Sequence, residues 1–176
     1  MVEQSETPAT NDVTTKSPDG ATDYTMASTL VKIDVHLIFH TKSTGITMRA
    51  EDLGRIFAYI GGIIKGLSGV PIEIGGMSDH VHILTSLPKT MALADFVRAV
   101  KADSSKWMKQ LDATYGSFSW QEGYGAFSVS SSLLDKTVQY IRNQAEHHRK
   151  RTFREEYILF LEAYGIEYDE QYAFSD

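Results

Sequence analysis

The chain has 176 residues and 42% hydrophobic content, enough for one domain with a genuine core. It has no cysteine, which excludes a disulfide scaffold, thiolate zinc sites and cysteine nucleophiles. The formal net charge of −6 argues against a uniformly basic nucleic-acid binder, but the charge is unevenly distributed along the chain.

Residues 1–28 hold five acids against one lysine, with Thr, Ser and Pro and few large apolar side chains. This composition predicts a disordered acidic tail, followed by a single domain over 29–176. The first residues lack the basic-then-apolar plan of a signal peptide, and no apolar run reaches membrane length, so the expected location is the cytoplasm. Residues 162–176 hold five acids and no base, so the stretch between the two acidic ends is net positive. Within it, residues 140–154 carry five bases and one acid, a candidate phosphate-binding surface.

Residues 30–40 alternate. Val31, Ile33, Val35, Leu37 and Phe39 mark one face of a strand, and Lys32, Asp34, His36 and His40 the other. Residues 49–66 place Leu53, Ile56, Phe57, Ile60 and Ile64 at helical spacing. A short strand over 70–74 ends at the Gly75-Gly76 turn. A strand over 80–87 stops at Pro88, an amphipathic helix covers 92–111, and 124–130 reads as a fourth strand. Helices over 132–150 and 153–164 complete the chain.

The order β-α-β-β-α-β-α-α predicts an α+β fold with a ferredoxin-like split βαβ core. Its sheet has four antiparallel strands, with the C-terminal helices added. In that plan the first and third strands are central neighbours, and helices cover one sheet face and leave the other open.

Asp79-His80-Val81-His82-Ile83 lies on one of those central strands. Alternation sends Val81 and Ile83 into the core and aims His80 and His82 together at the opposite face. On the helix over 132–150, Leu134, Val138, Ile141 and Ala145 form the apolar stripe. Tyr140, Gln144 and His147 share a face beside it. A neutral phenol is a weak nucleophile, and a divalent cation can both favour the phenolate and withdraw charge from a phosphate. Two imidazoles and the amide oxygen of Gln144 make a mixed nitrogen and oxygen half-shell. That shell suits magnesium or manganese better than a closed zinc site. His36, His147 and His148 are candidate neighbours of this site. Lys101, Lys106, Arg149, Lys150 and Arg151 are candidate phosphate contacts. Trp120 and Tyr124 are candidate stacking platforms for unpaired bases.

Several separate blocks, in order, carry a resemblance. They are Val35-His36-Leu37-Ile38-Phe39, Asp79-His80-Val81-His82-Ile83-Leu84, Ser104-Ser105-Lys106-Trp107, residues 120–128 (WQEGYGAFS) and Tyr140-Ile141-Arg142-Asn143-Gln144 through His147-His148. Phe153-Arg154-Glu155-Glu156-Tyr157 and Gly165-Ile166-Glu167-Tyr168-Asp169 extend it. Over about residues 29–174 the chain resembles the single-tyrosine HUH transposases of the insertion sequence 200-like type, including domesticated relatives that process palindromic elements.

The resemblance implies cleavage and rejoining of single-stranded DNA at hairpin-flanked sites. It implies Tyr140 as the nucleophile that forms a 5′-phosphotyrosine, and His80, His82 and Gln144 as ligands of Mg2+ or Mn2+. It also implies a homodimer in which the tyrosine helix can complete the partner's site. No P-loop pattern is present, and a phosphotyrosine stores the bond energy, so no nucleotide cofactor is expected. The resemblance also leaves open a catalytically decayed or domesticated hairpin-binding protein. On the residues alone, a metallohydrolase using His80, His82 and Asp34 is a further reading.

Overall fold

The structure is a computed structural model that describes residues 30–42 and 45–169. The acidic tail expected over 1–28 lies outside the described residues. The elements are β1 (Asp34–His40), α1 (Leu53–Gly66), β2 (Val70–Gly76), β3 (His80–Ser86), α2 (Leu93–Leu111), β4 (Gly125–Ser128), α3 (Leu134–Arg142), α4 (Gln144–His147) and α5 (Phe153–Ala163).

The four strands form one sheet in the order β2-β3-β1-β4, and every pair is antiparallel. This is the expected split βαβ arrangement, with β1 and β3 central. Their register sets His40 opposite His80 and Ile38 opposite His82. Directly opposed residues share a face, so the pairing fixes which side chains can meet at the site.

The first face follows from alternation. Val35, Leu37 and Phe39 of β1 and Val81 and Ile83 of β3 are buried against Ile56, Ile60 and Ile64 of α1 and Phe96, Val97 and Val100 of α2. Each large apolar side chain so buried contributes roughly 1.5–3 kcal/mol. Three residues from the family-like blocks, Ser104, Trp107 and Trp120, also belong here. Ser104 accepts a hydrogen bond from Trp120 Nε1 at 2.9 Å, and Trp107 stacks on Tyr59 with ring centroids 4.2 Å apart.

The second face departs from expectation. It is not open, because the C-terminal helices cover it. Leu84 packs with Val129 and Ile141, and Ile38 and Phe127 pack with Tyr157 and Leu161. Every β3 residue from His80 to Thr85 is therefore buried. The alternation gave β1 one polar face, but Ile38 sits within it and demands a cover.

The helix expected over 132–150 also differs: it is divided. A 3-10 turn at Ser131–Leu133 precedes α3, and α4 begins after Asn143, whose φ of −95° and ψ of 19° leave the helical region. The break redirects the chain so that Gln144 faces the sheet.

α3 lies unusually close to β2. A Cβ on Gly75 would stand 2.8 Å from the Ile141 carbonyl oxygen and 2.9 Å from Ile141 Cγ2. Gly76 has a φ of +151°, and a Cβ there would meet the His80 carbonyl oxygen at 2.3 Å. The two glycines, expected as a turn, are instead the last residues of β2, paired with His82 and Val81, and Gly75 is what allows α3, and Tyr140 with it, to sit over the sheet. Gly75→Ala is expected to destabilise the fold by roughly 1–3 kcal/mol through overpacking. Gly61→Ala, whose Cβ would stand 3.6 Å from Ile74 Cδ1, is the control that should not lose stability. Urea unfolding of both variants checks this.

Candidate active site

β3 delivers His80 and His82 to the second face, both fully buried. His80 Nδ1 lies 2.7 Å from Asp79 Oδ1. That hydrogen bond holds the Asp79 carboxyl below the usual carboxylate range. The ionised carboxylate keeps the His80 proton on Nδ1, so Nε2 presents its lone pair. Facing it at 3.3 Å is Gln144 Oε1. The amide is oriented by its other end, since Gln144 Nε2 donates to Glu156 Oε1 at 3.0 Å.

His82 repeats the pattern. Its Nδ1 pairs with His36 Nε2 at 2.9 Å, while its buried Nε2 has no hydrogen-bond partner. The nearest carboxylate oxygen, Glu156 Oε2, is 3.8 Å from that nitrogen and accepts from His148 Nε2 at 2.9 Å. Burial lowers His82 well below its ordinary value, and the neighbouring His36 adds to the effect. Burial alone lowers His36 to about 3. Burial pushes the Glu156 carboxyl up to about 7, opposed by His80.

Four acceptors therefore converge: two bare imidazole nitrogens, an amide oxygen and a carboxylate. Ligand atoms of His80, His82 and Glu156 lie within 4.8 Å of one another. The buried lone pair of His82 Nε2 has no donor, which is costly, and a divalent cation would satisfy it together with the neighbouring acceptors. The donor set fits such an ion. Imidazole with carboxylate and amide oxygen is the chemistry of a first-row divalent metal or magnesium, not of a thiolate zinc site.

Tyr140 stands beside this cluster within the same chain. Its ring centroid is 5.8 Å from that of His82, 6.2 Å from His36 and 4.9 Å from His147. A cavity of about 240 Å³ opens over it, lined among others by Tyr140, His147, His148, Arg151 and Glu156. Arg149, Lys150 and Arg151 form the turn between α4 and α5 and border a second cavity that reaches Asp79. Among the residues singled out from sequence, His36, His80, His82, Tyr140, Gln144, His147 and His148 come together on the second face. The 149–151 turn borders them.

The others do not join them. Trp120 is 5% exposed in the main core, with its Nε1 committed to Ser104, so it offers no face for base stacking. Tyr124 packs partly against that same core. Lys101 donates to the carbonyl oxygens of Glu122 and Gly123 and sits over the Phe39 ring, on the α1 and α2 side. Lys106 is exposed on α2. Asp34, the carboxylate of the metallohydrolase reading, lies 3.5 Å from Lys32 and is not part of the His80–His82–Glu156 cluster.

Glu156 was not singled out from sequence. Its signal was available. Thr152 and Glu155 form a capping box that sets the start of α5. Counting from it, Phe153, Glu156 and Phe160 fall on one stripe. An acid within an apolar stripe is a buried charge that needs a partner.

The family described as "Transposase IS200 like" matches residues 29–144. The chain belongs to that family. It is 33% identical over 85 residues to the ISDra2 transposase TnpA of Deinococcus radiodurans, a match covering 46% of this chain and 59% of that relative. The chain thus aligns with less than two thirds of the curated relative. A crystal structure from Deinococcus radiodurans R1, assigned as a transposase, superposes with a TM-score of 0.53 at 24% identity, covering 67% of this chain and 95% of that one. A REP-associated tyrosine transposase bound to a REP hairpin superposes with a TM-score of 0.51 at 11% identity, covering 69% and 72%. At these identities the two superpositions show the shared fold. The family match includes Tyr140 and Gln144 and ends before Glu156.

Proposed function

We propose that the chain cleaves and rejoins single-stranded DNA at hairpin-flanked sites through a covalent tyrosine intermediate, using Mg2+ or Mn2+. The observation that carries this is the convergence of His80, His82 and Glu156, with the buried His82 Nε2 unpaired, beside a tyrosine, within a family of transposases. The catalytic unit is residues 29–176. The hairpin-bound structural neighbour supports hairpin DNA as the partner. A homodimer is part of the reading, although Tyr140 stands beside the histidines of its own chain. No described helix is long and apolar enough to cross a membrane, which accords with a cytoplasmic DNA-processing role.

His80, His82, Glu156 and Gln144 would hold the cation, which on binding would draw charge from a non-bridging phosphate oxygen. Tyr140 supplies the nucleophile. Its phenolic oxygen forms a bond to phosphorus as the bond to the 3′ oxygen breaks, and the proton lost by the phenol balances the one gained by the leaving 3′-hydroxyl. Reversal by a 3′-hydroxyl rejoins DNA and restores the phenol. Asp79 and His36 hold the tautomers that keep both Nε2 atoms bare. Arg151 and His147, on the wall of the cavity over Tyr140, are placed to meet phosphate.

The test is incubation of the full chain with labelled single-stranded hairpin DNA and manganese, followed by a denaturing gel. A protein-linked label supports the reading. Cleavage without the link, or binding without cleavage, overturns it in favour of a hydrolase or a hairpin-binding protein.

The carboxyl of Glu156 makes cation binding depend on pH. Its folded value of about 7 lies above its ordinary 4.5, so across that window the folded chain keeps a proton that the unfolded chain has lost. By itself this group costs stability as pH rises through the window. Bound cation needs the carboxylate, so the rise in Tm on adding manganese should be small at pH 5 and grow up to pH 8. Scanning fluorimetry at both pH values checks this, and Glu156→Gln should flatten the difference.

A further inference from the structure

Tyr140 stands between two cavities, each with aromatic walls and a cationic side chain in its lining. The one of about 240 Å³ over the His-Glu cluster is bordered by Arg151, His147 and Glu156. The other, of about 230 Å³, lies between α3 and α5, and its wall is mainly Val129, Leu133 and aromatic rings, with Lys136 and Thr137 at its α3 side. Tyr140, Phe160 and Tyr164 line both. The second cavity meets the site described above only at Tyr140 and His36, and the remainder of its lining has no role there.

The geometry points to this second cavity as a pocket for one unpaired nucleobase next to the scissile phosphate, stacked on Phe160 and Tyr164. This rests on the strand-transfer reading of the adjoining site. A nucleotide is polar at its phosphate and flat and largely apolar at its base; the first cavity holds Arg151, His147 and His148 beside the cluster, and the second offers aromatic and aliphatic walls with Lys136 at its side.

The rings are held for this. Tyr164 Oη donates to the Ser128 carbonyl at 2.9 Å, and Phe127 packs 4.9 Å from the Tyr164 ring, yet Tyr164 stays 43% exposed. Phe160 is fixed between His36 at 5.2 Å, Phe127 at 5.2 Å and Tyr140 at 5.6 Å. An exposed aromatic face with a fixed orientation is what a base stacks on without losing ring entropy. Among the described residues Lys136, on one side of Tyr140, makes no close ion pair, and Arg151, on the other, feels the Glu155 carboxylate without a close ion pair. The flanking phosphates of a strand threaded past Tyr140 would pair with them. Apolar floor, aromatic walls and cationic rims on both sides favour single-stranded nucleic acid over an apolar peptide, which would leave both cations unpaired.

The test uses the full chain, with manganese, and a short thymidine oligomer carrying one central 2-aminopurine, whose fluorescence is quenched by stacking. Saturable quenching is expected. Tyr164→Leu and Phe160→Leu should relieve it and weaken binding by about tenfold, the usual cost of losing one stacked base. Lys136→Gln should weaken binding and leave the quenching at saturation unchanged. Circular-dichroism melts confirm that each variant is folded, and Tyr164→Leu, at the more exposed position, is the decisive one. Absent quenching, or quenching equal in all variants, overturns the proposal. The hairpin adduct assay on the same preparations separates the two readings. An adduct without dependence on either ring removes the base pocket and leaves the tyrosine chemistry. Ring-dependent quenching without an adduct keeps the pocket as a nucleic-acid site and removes the chemistry.

Discussion

Tyr140→Phe is expected to abolish the protein–DNA adduct while leaving hairpin binding nearly intact. The substitution removes one oxygen and keeps the ring, whose packing against His36, His82, His147 and Phe160 holds α3 in place. Among the described residues, the two tyrosines of α5 and its end are committed elsewhere. Tyr164, which shares the cavity, donates its hydroxyl to the Ser128 carbonyl, and Tyr157 is buried against Phe127 and Phe153. Loss of a covalent nucleophile commonly costs several orders of magnitude, so adduct yield should fall by at least about a thousandfold. The binding constant for hairpin DNA should stay within about twofold, the span of a substitution that breaks no buried contact. Adduct that persists in this variant, located by mass spectrometry on another residue, would remove Tyr140 from the mechanism.

The second large effect belongs to His82→Ala. His82 is fully buried, and its free Nε2 is one of the four converging acceptors. Manganese affinity, measured by calorimetry, should fall by more than the roughly 10- to 100-fold that loss of an outer-shell partner costs. Asp79→Asn supplies that outer-shell comparison, since Asp79 only holds the His80 proton at Nδ1. The expected ranking is therefore wild type, then Asp79→Asn, then His82→Ala, in both metal affinity and adduct yield. Equal manganese binding by wild type and His82→Ala would show that the cluster is not a cation site. The substitution also leaves His36 Nε2 without its partner and opens a cavity, so a lower Tm is expected beside the loss of metal.

Much of this was readable before any coordinates. Period-two alternation in residues 30–40, and the placing of His80 and His82 opposite Val81 and Ile83, identified the two central strands, because successive side chains of a strand point to opposite faces. The same rule aimed His80 and His82 together. Helical spacing located α1, α2 and α5 to within a few residues. What failed did so for identifiable reasons. Trp120 is a candidate stacking platform by residue type alone, but the Thr41–Trp120 bridge and Ser104 draw it into the core. The open sheet face was a property of the six-element plan, and three further helices were available to close it. The break at Asn143 has no periodicity signature, since the apolar stripe runs through it from Ile141 to Ala145. Glu156 stands out as an acid on the Phe153–Phe160 stripe, but which groups it meets depends on what lies across from α5, which is long-range information.

The absence of cysteine returns here with a different meaning. Segments 64 residues apart in sequence meet at His80 and Gln144, and α5 joins them through Glu156. A cation bound to these side chains would act as a reversible cross-link, tying the last two helices to the centre of the sheet as a disulfide would in an oxidising compartment. Catalytic competence and the closing of the C-terminal third would then be one event, switched by metal supply rather than by redox state.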